Sequence, residues 1–195
     1  MKRLLISVSL GASALIPAVA QAQALPAAIV AVVDVDRVRT NCNACKTAIA
    51  ALTSQAAAEN NREKALVAPL QTEQQAIQAA ANALNGKQPD AALQARAKAF
   101  QEKYQQAQEQ AARGQQQLQA NQQYILKQIE DKLGPIYAQV MQRRGANVMV
   151  EQGATLAAAT SVDVTNDVLA ALNTALPSIS PTAPAPARTN QPQGR

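Results

Sequence analysis

The chain has 195 residues, a formal net charge of +5 and no His. Its apolar fraction of 48% is mostly 44 Ala, whereas Leu, Ile, Val and Phe together number 41, with one Phe, three Tyr and no Trp. Methyl groups bury too little surface to build a thick globular core over this length. The absence of His removes imidazole acid–base chemistry, the common Ser-His and Cys-His nucleophiles and the commonest metal ligand. No phosphate-binding loop is present either. The expectation is therefore a protein that is not an enzyme, with no catalytic residues, no metal and no cofactor. The mild basic bias lacks aromatic or Arg-rich clusters, so no nucleic acid partner is expected. It is compatible with weak contact at an anionic membrane surface. Ala and the 26 Gln are good helix formers, which favours long, thin, exposed helices over disorder.

Residues 1–22 have the form of a cleaved secretory signal. Lys2 and Arg3 open it, Leu4 to Leu15 is an apolar run too short to span a bilayer, and Pro17 ends that run. Ala18-Val19-Ala20 and Ala20-Gln21-Ala22 then offer small-x-small cleavage sites. An exported product in an oxidising compartment follows, in the style of a bacterial periplasm. Next comes Ala28-Ile29-Val30-Ala31-Val32-Val33, a β-branched run that predicts a buried strand. Asp34 and Asp36 precede a brief helical turn, where capping explains them better than paired-carboxylate chemistry. Thr40, Asn41 and Asn43 offer caps for the helix that follows.

Positions 49, 52, 56, 59, 63, 66, 70, 73, 77, 80 and 84 have 3-4 spacing, a heptad seam interrupted by Glu59, Glu63 and Glu73. Pro69 should kink this helix. Asn85-Gly86-Lys87-Gln88-Pro89-Asp90 is a strong turn signal. A second seam runs through Leu93, Ala97, Phe100, Tyr104, Ala107, Ala111, Gly114, Leu118, Asn121 and Ile125. It then shifts by one residue to Ile129, Leu133, Ile136 and Val140. Gly134-Pro135 should bend its end. Two seams across one tight turn predict an antiparallel helical hairpin over 43–142, with its tip at 85–90.

Arg143-Arg144-Gly145 closes the second helix, Asn147 to Glu151 predicts a strand, and Thr155 to Ala159 is a candidate further strand. Thr165 is placed to cap a last helix with Val168, Leu169, Leu172 and Leu176 as its apolar stripe. Residues 177–195 hold five of the ten Pro and are expected to form a disordered tail. The fold class is α+β, mainly α. A long antiparallel coiled-coil hairpin is inserted in a small β-rich body made of 23–42 and 143–176. Such a body has little core of its own, and oligomerisation through Ile29, Val30, Val32, Val148 and Val150 is the simplest remedy.

This order of parts resembles the Skp/OmpH family of periplasmic chaperones over about residues 27–176. The likeness lies in Ala31-Val32-Val33-Asp34-Val35-Asp36-Arg37-Val38, in the Ala/Gln-rich hairpin, and in the ending Val148 to Ala154 with Ser161 to Asn173. The last piece follows the family pattern D-[IV]-T-x-x-V-L-x-x-L. The resemblance implies a homotrimer with a trimerisation body and three hairpin arms around a cavity. It also implies unfolded outer-membrane proteins as partners. Arg39, Cys42 and Cys45 depart from the family pattern. The tip, 85–113, carries five cations against three anions, a weak field for capturing acidic clients or lipopolysaccharide.

Most seam residues serve packing within the arm. Beside the seam, Leu66, Val67, Leu70, Phe100, Tyr104 and Tyr124 are the candidate client-binding residues, offering scattered apolar contacts. Cys42-Asn43-Ala44-Cys45 at a helix start is a disulfide candidate. A local staple, a redox pair and intersubunit or unpaired thiols remain open for it. The functional expectation is an ATP-independent periplasmic holdase. The alternatives are a structural coiled-coil adaptor or spacer in the cell envelope, and a thiol oxidoreductase.

Overall fold

A computed structural model describes residues 25–185. The signal at 1–22 and the last ten residues lie outside the described residues. In chain order the elements are β1 (Val30–Val33), α1 (Val35–Asn41), α2 (Asn43–Ala83), α3 (Ala91–Arg144), β2 (Val148–Glu151) and α4 (Thr165–Ala175). Short 3-10 turns occupy Gln152–Ala154 and Thr160–Val162.

The sheet joins the two ends of the described chain. β1 and β2 are parallel, with Val30 opposite Val148 and Val32 opposite Val150. A parallel pair needs a long crossover, and the whole hairpin is that crossover. Thr155 to Ala159 forms no strand. It runs over Val32 and leads to a single bridge between Val32 and Asp163.

Local chemistry sets the helix ends. The Asp34 carboxylate accepts from Arg37 N at 2.8 Å and starts α1, and Asp90 accepts from Leu93 N at 2.8 Å and starts α3. At the tip, Asn85 and Gly86 take positive φ (48° and 84°) to turn the chain. Gly145 (φ 65°) closes α3 with a Schellman pair, Gly145 N to Gln142 O and Ala146 N to Met141 O. α2 runs through Pro69, and α3 through Gly134 and Pro135, without interruption.

Two expected caps differ. Neither Thr40, Asn41 nor Asn43 caps α2. Cys42 does so, its sulfur accepting from Cys45 N at 3.0 Å, while Asn173 Oδ1 of α4 accepts from Asn43 N at 2.8 Å. Thr165 lies one residue inside α4, and its amide donates to Asp163 at 2.8 Å. The Thr165 hydroxyl accepts instead from Asp34 N at 2.9 Å, tying α4 to the start of α1.

The core lies at the base and crosses the expected boundary between body and arm. Ala31, Val33, Val35 and Val38 pack with Cys42, Cys45 and Ala48 of α2, with Ile125, Ile129, Leu133, Ile136 and Val140 of α3, and with Val164, Val168, Leu172 and Leu176. The reason is length. α3 has 54 residues and α2 has 41, so the surplus of α3, roughly 20 Å at 1.5 Å per residue, extends beside the sheet. The body thus has a continuous core within one copy.

The tail expectation needs correction for its described part. Residues 177–183 pack along the root of the arm, with Ile179 in the same core at 9% exposure. Proline removes amide donors, but Ser180 and Ala183 keep theirs and both are hydrogen-bonded to side chains of α3.

Candidate functional site

Above Leu52 and Ile125 the seam loses its bulk. Between residues 53 and 120 only Glu59 and Ala107 are buried. Seam positions there mix Ala, Gly and three Glu with scattered Leu, Ile, Phe and Tyr, so the helices approach without filling the grooves beside them. A groove of about 260 Å³ results, lined by Leu66, Val67 and Leu70 of α2 and by Phe100, Tyr104, Ala107 and Ala111 of α3. Glu63, Gln71, Gln74 and Gln108 rim it. Leu66, Leu70 and Ala107 also line a second groove together with Pro69, Glu73 and Lys103. The apolar layer here is one side chain deep.

Five of the six candidate client-binding residues meet in the first groove. Phe100 and Tyr104 stack with ring centroids 6.0 Å apart, and Tyr104 stays 48% exposed, with Val67 at 39%. Tyr124 does not join them. It lies twenty residues toward the base on α3, roughly 30 Å along the helix, and it does not line the groove. Towards the tip, Arg96 grips Glu73 with two hydrogen bonds of 2.6 and 2.9 Å. That pairing holds the Glu73 carboxyl below its ordinary range and pushes the guanidinium pKa up.

Below the groove is a contact that the polar interruption at Glu59 foretells only in part. Glu59 is 7% exposed and occupies a notch left by Gly114, where a Cβ would stand 1.8 Å from its Oε1. Glu59 Oε2 pairs with Arg62 at 2.6 Å, and its Oε1 is buried without a hydrogen-bond partner. Glycine is needed here for close approach.

The candidate oligomerisation residues separate. Ile29, Val30 and Val148 are exposed, and Val150 is half-buried. Val32 is buried within the chain, because the segment from Thr155 to Thr160 and Asp163 covers it. It therefore offers nothing to a partner. Exposed Leu25 and Leu156 add to the apolar surface of the base. Cys42 and Cys45 form a disulfide, fully buried in the core, which leaves no exposed sulfur for exchange. No helix among the described residues is long and apolar enough to cross a membrane.

A family model described as outer membrane protein (OmpH-like) matches residues 29–172. The chain belongs to the OmpH-like family. The match starts at the residue before β1 and ends at Leu172 inside α4, so it spans sheet, hairpin and closing helix. Among solved structures, a chain from Caulobacter crescentus CB15, described as a candidate outer membrane chaperone (OmpH-like), is similar with a TM-score of 0.68 and 20% identity. The likeness covers 84% of this chain and 95% of that one, and establishes a shared fold. No curated protein matches the chain in sequence. The strap at 177–183 lies beyond the OmpH-like match. Arg39, unusual in the resemblance to this family, ion-pairs with Glu130 at 3.1 Å.

Proposed function

We propose that this OmpH-like protein is an ATP-independent periplasmic holdase for unfolded outer-membrane β-barrel proteins, working as a homotrimer whose arms enclose the client. The observation that carries this reading is the groove beside Leu66, Val67, Leu70, Phe100 and Tyr104, where apolar side chains stay half-open in the middle of a long arm. Unfolded barrel strands expose apolar faces and unpaired edges that aggregate. A shallow, two-sided apolar seam contacts such strands weakly at many points, and several arms acting together retain them. The sequence carries no phosphate-binding loop, and in this reading release follows from the client's own folding. The exposed Ile29, Val30 and Val148 supply the surface through which copies associate, and the leader at 1–22 supplies export.

The test dilutes a urea-denatured outer-membrane barrel into buffer with the purified protein. Light scattering should fall to near baseline at several-fold molar excess. Unchanged scattering overturns the holdase reading, and binding to one folded envelope protein with indifference to unfolded chains favours the adaptor. Sedimentation should give three copies, and a single copy removes the cavity.

A further inference from the structure

Residues 177–183 lie in a groove that reads their backbone. Ser180 N donates to Gln128 Oε1 at 3.0 Å, and Gln128 Nε2 donates back to Ser180 O at 3.0 Å. Gln55 Nε2 donates to Pro181 O at 3.2 Å. Ala183 N donates to Asn121 Oδ1 at 2.9 Å. Asn121 is 4% exposed and is fixed in turn by donating to Gln55 Oε1 at 2.8 Å and accepting from Gln117 Nε2 at 2.7 Å. The amides of Gln55, Asn121 and Gln128 thus form a ladder of donors and acceptors along the crease between α2 and α3. Only one side chain of the strap is buried among apolar groups, Ile179.

Two properties of this arrangement point beyond a tail that happens to fold back. Every hydrogen bond between arm and strap ends on strap main chain, so the groove selects backbone and not a sequence. The two donors it takes, at 180 and 183, flank a bend at Pro181 and Thr182, so the crease holds main chain on both sides of that bend. Unpaired main chain carrying one apolar side chain is also the chemistry that an unfolded barrel strand presents.

We propose that the crease lined by Gln55, Asn121 and Gln128 is a binding site for polypeptide main chain, occupied by the chain's own residues 177–183, for which unfolded clients compete. The inference rests on the holdase reading for the identity of the competitor, and not for the site itself. An intramolecular occupant lowers apparent affinity by the fraction of time that the site is filled.

The probe is a fluorescein-labelled peptide of residues 177–185, titrated by anisotropy into two full-length proteins, the wild type and the doubly substituted Ile179→Ser/Ser180→Pro. The second loses the buried apolar side chain and the Ser180 donor, and circular dichroism and sedimentation check that it keeps its helices and its assembly. A second unlatched form, Gln128→Ala, keeps the strap sequence and leaves the Gln55–Asn121 rungs in place. The peptide should bind the Ile179→Ser/Ser180→Pro protein about tenfold more tightly than wild type. A peptide N-methylated at Ser180 and Ala183 should not bind. In the unlatched protein, adding Gln55→Ala and Asn121→Ala should abolish binding. Gln128→Ala should free the strap for limited proteolysis after residue 176. Equal peptide binding to wild type and unlatched protein, indifference to N-methylation, or an unaltered cleavage pattern in Gln128→Ala overturns the site. Repeating the titration with a urea-denatured barrel tests competition. Tighter binding to the unlatched protein supports it, and equal binding to both forms overturns it. Barrel binding to neither form, with the peptide result intact, overturns the holdase reading and leaves the site standing.

Discussion

The base and the arm are built from one periodicity and behave as two materials. From residue 121 to 140 the seam positions of α3 are Asn121, Ile125, Ile129, Leu133, Ile136 and Val140, and all are buried. From 93 to 118 the same spacing carries Ala, Gly and a few large side chains, and only Ala107 is buried. Helical repeat decides which residues face the partner helix, and side-chain volume decides whether facing becomes burial. A protein can thus keep one end rigid and leave the other end adhesive without changing its secondary structure.

The largest test of this contrast compares two leucines. Leu172→Ala, at a fully buried base position, should cost about 2–5 kcal/mol in urea unfolding. Leu66→Ala, half-open in the arm, should cost under about 1 kcal/mol while weakening the proposed client retention. Similar costs at both sites would mean that the arm is packed as tightly as the base. The Cys42–Cys45 staple comes next. It closes a very short loop, and replacing both residues with Ala should lower stability by about 2 kcal/mol, with the proposed holdase activity retained.

The notch at Gly114 sharpens the comparison within the arm. Alone, Gly114→Ala forces Glu59 out of its place and should cost about 1–3 kcal/mol. Combined with Glu59→Ala, the same change should reverse sign and gain about 1 kcal/mol of helix propensity. Additivity of the two changes would break the proposed contact. The smallest effect is acid dependence. Glu73 and Asp163 are both held below the ordinary carboxylate range, the first by its hydrogen bonds with Arg96, the second by its hydrogen bonds with Thr165. Their folded-state pKa values are depressed, so their stabilisation is full above the ordinary carboxylate pKa and fades as pH falls through the folded values. Thermal midpoints measured from neutral pH down into the carboxylate range should fall, and Glu73→Gln should flatten part of that slope.

Much of this architecture is legible in the residues themselves. The turn at Asn85-Gly86, the caps at Asp34 and Asp90, the strand partners from opposite ends and the one-residue shift after Ile125 all follow from local chemistry or periodicity. What escapes is long-range and polar. Nothing near Thr165 signals that its hydroxyl serves Asp34, and Gln55 and Gln128 look like any other solvated amides in a Gln-rich helix. The Pro-rich composition of 177–183 argues against packing, yet the hydrogen-bonded amides of Ser180 and Ala183 and one Ile suffice once a groove is waiting. Val32 is a natural candidate for contact between copies, and its burial within one copy depends on a loop distant in sequence. The gathering of five candidate side chains into one groove depends on the register between α2 and α3, which the turn length sets.

The parallel pairing of β1 with β2 also has a temporal consequence. The hairpin zips through neighbours close in sequence, whereas Val30 must wait for Val148, a separation that slows folding. As the chain is made from its N-terminus, the first strand emerges long before its mate, so the arm can be complete while the base is still open. Closure of the base, and any association that depends on it, then comes as the final event of maturation.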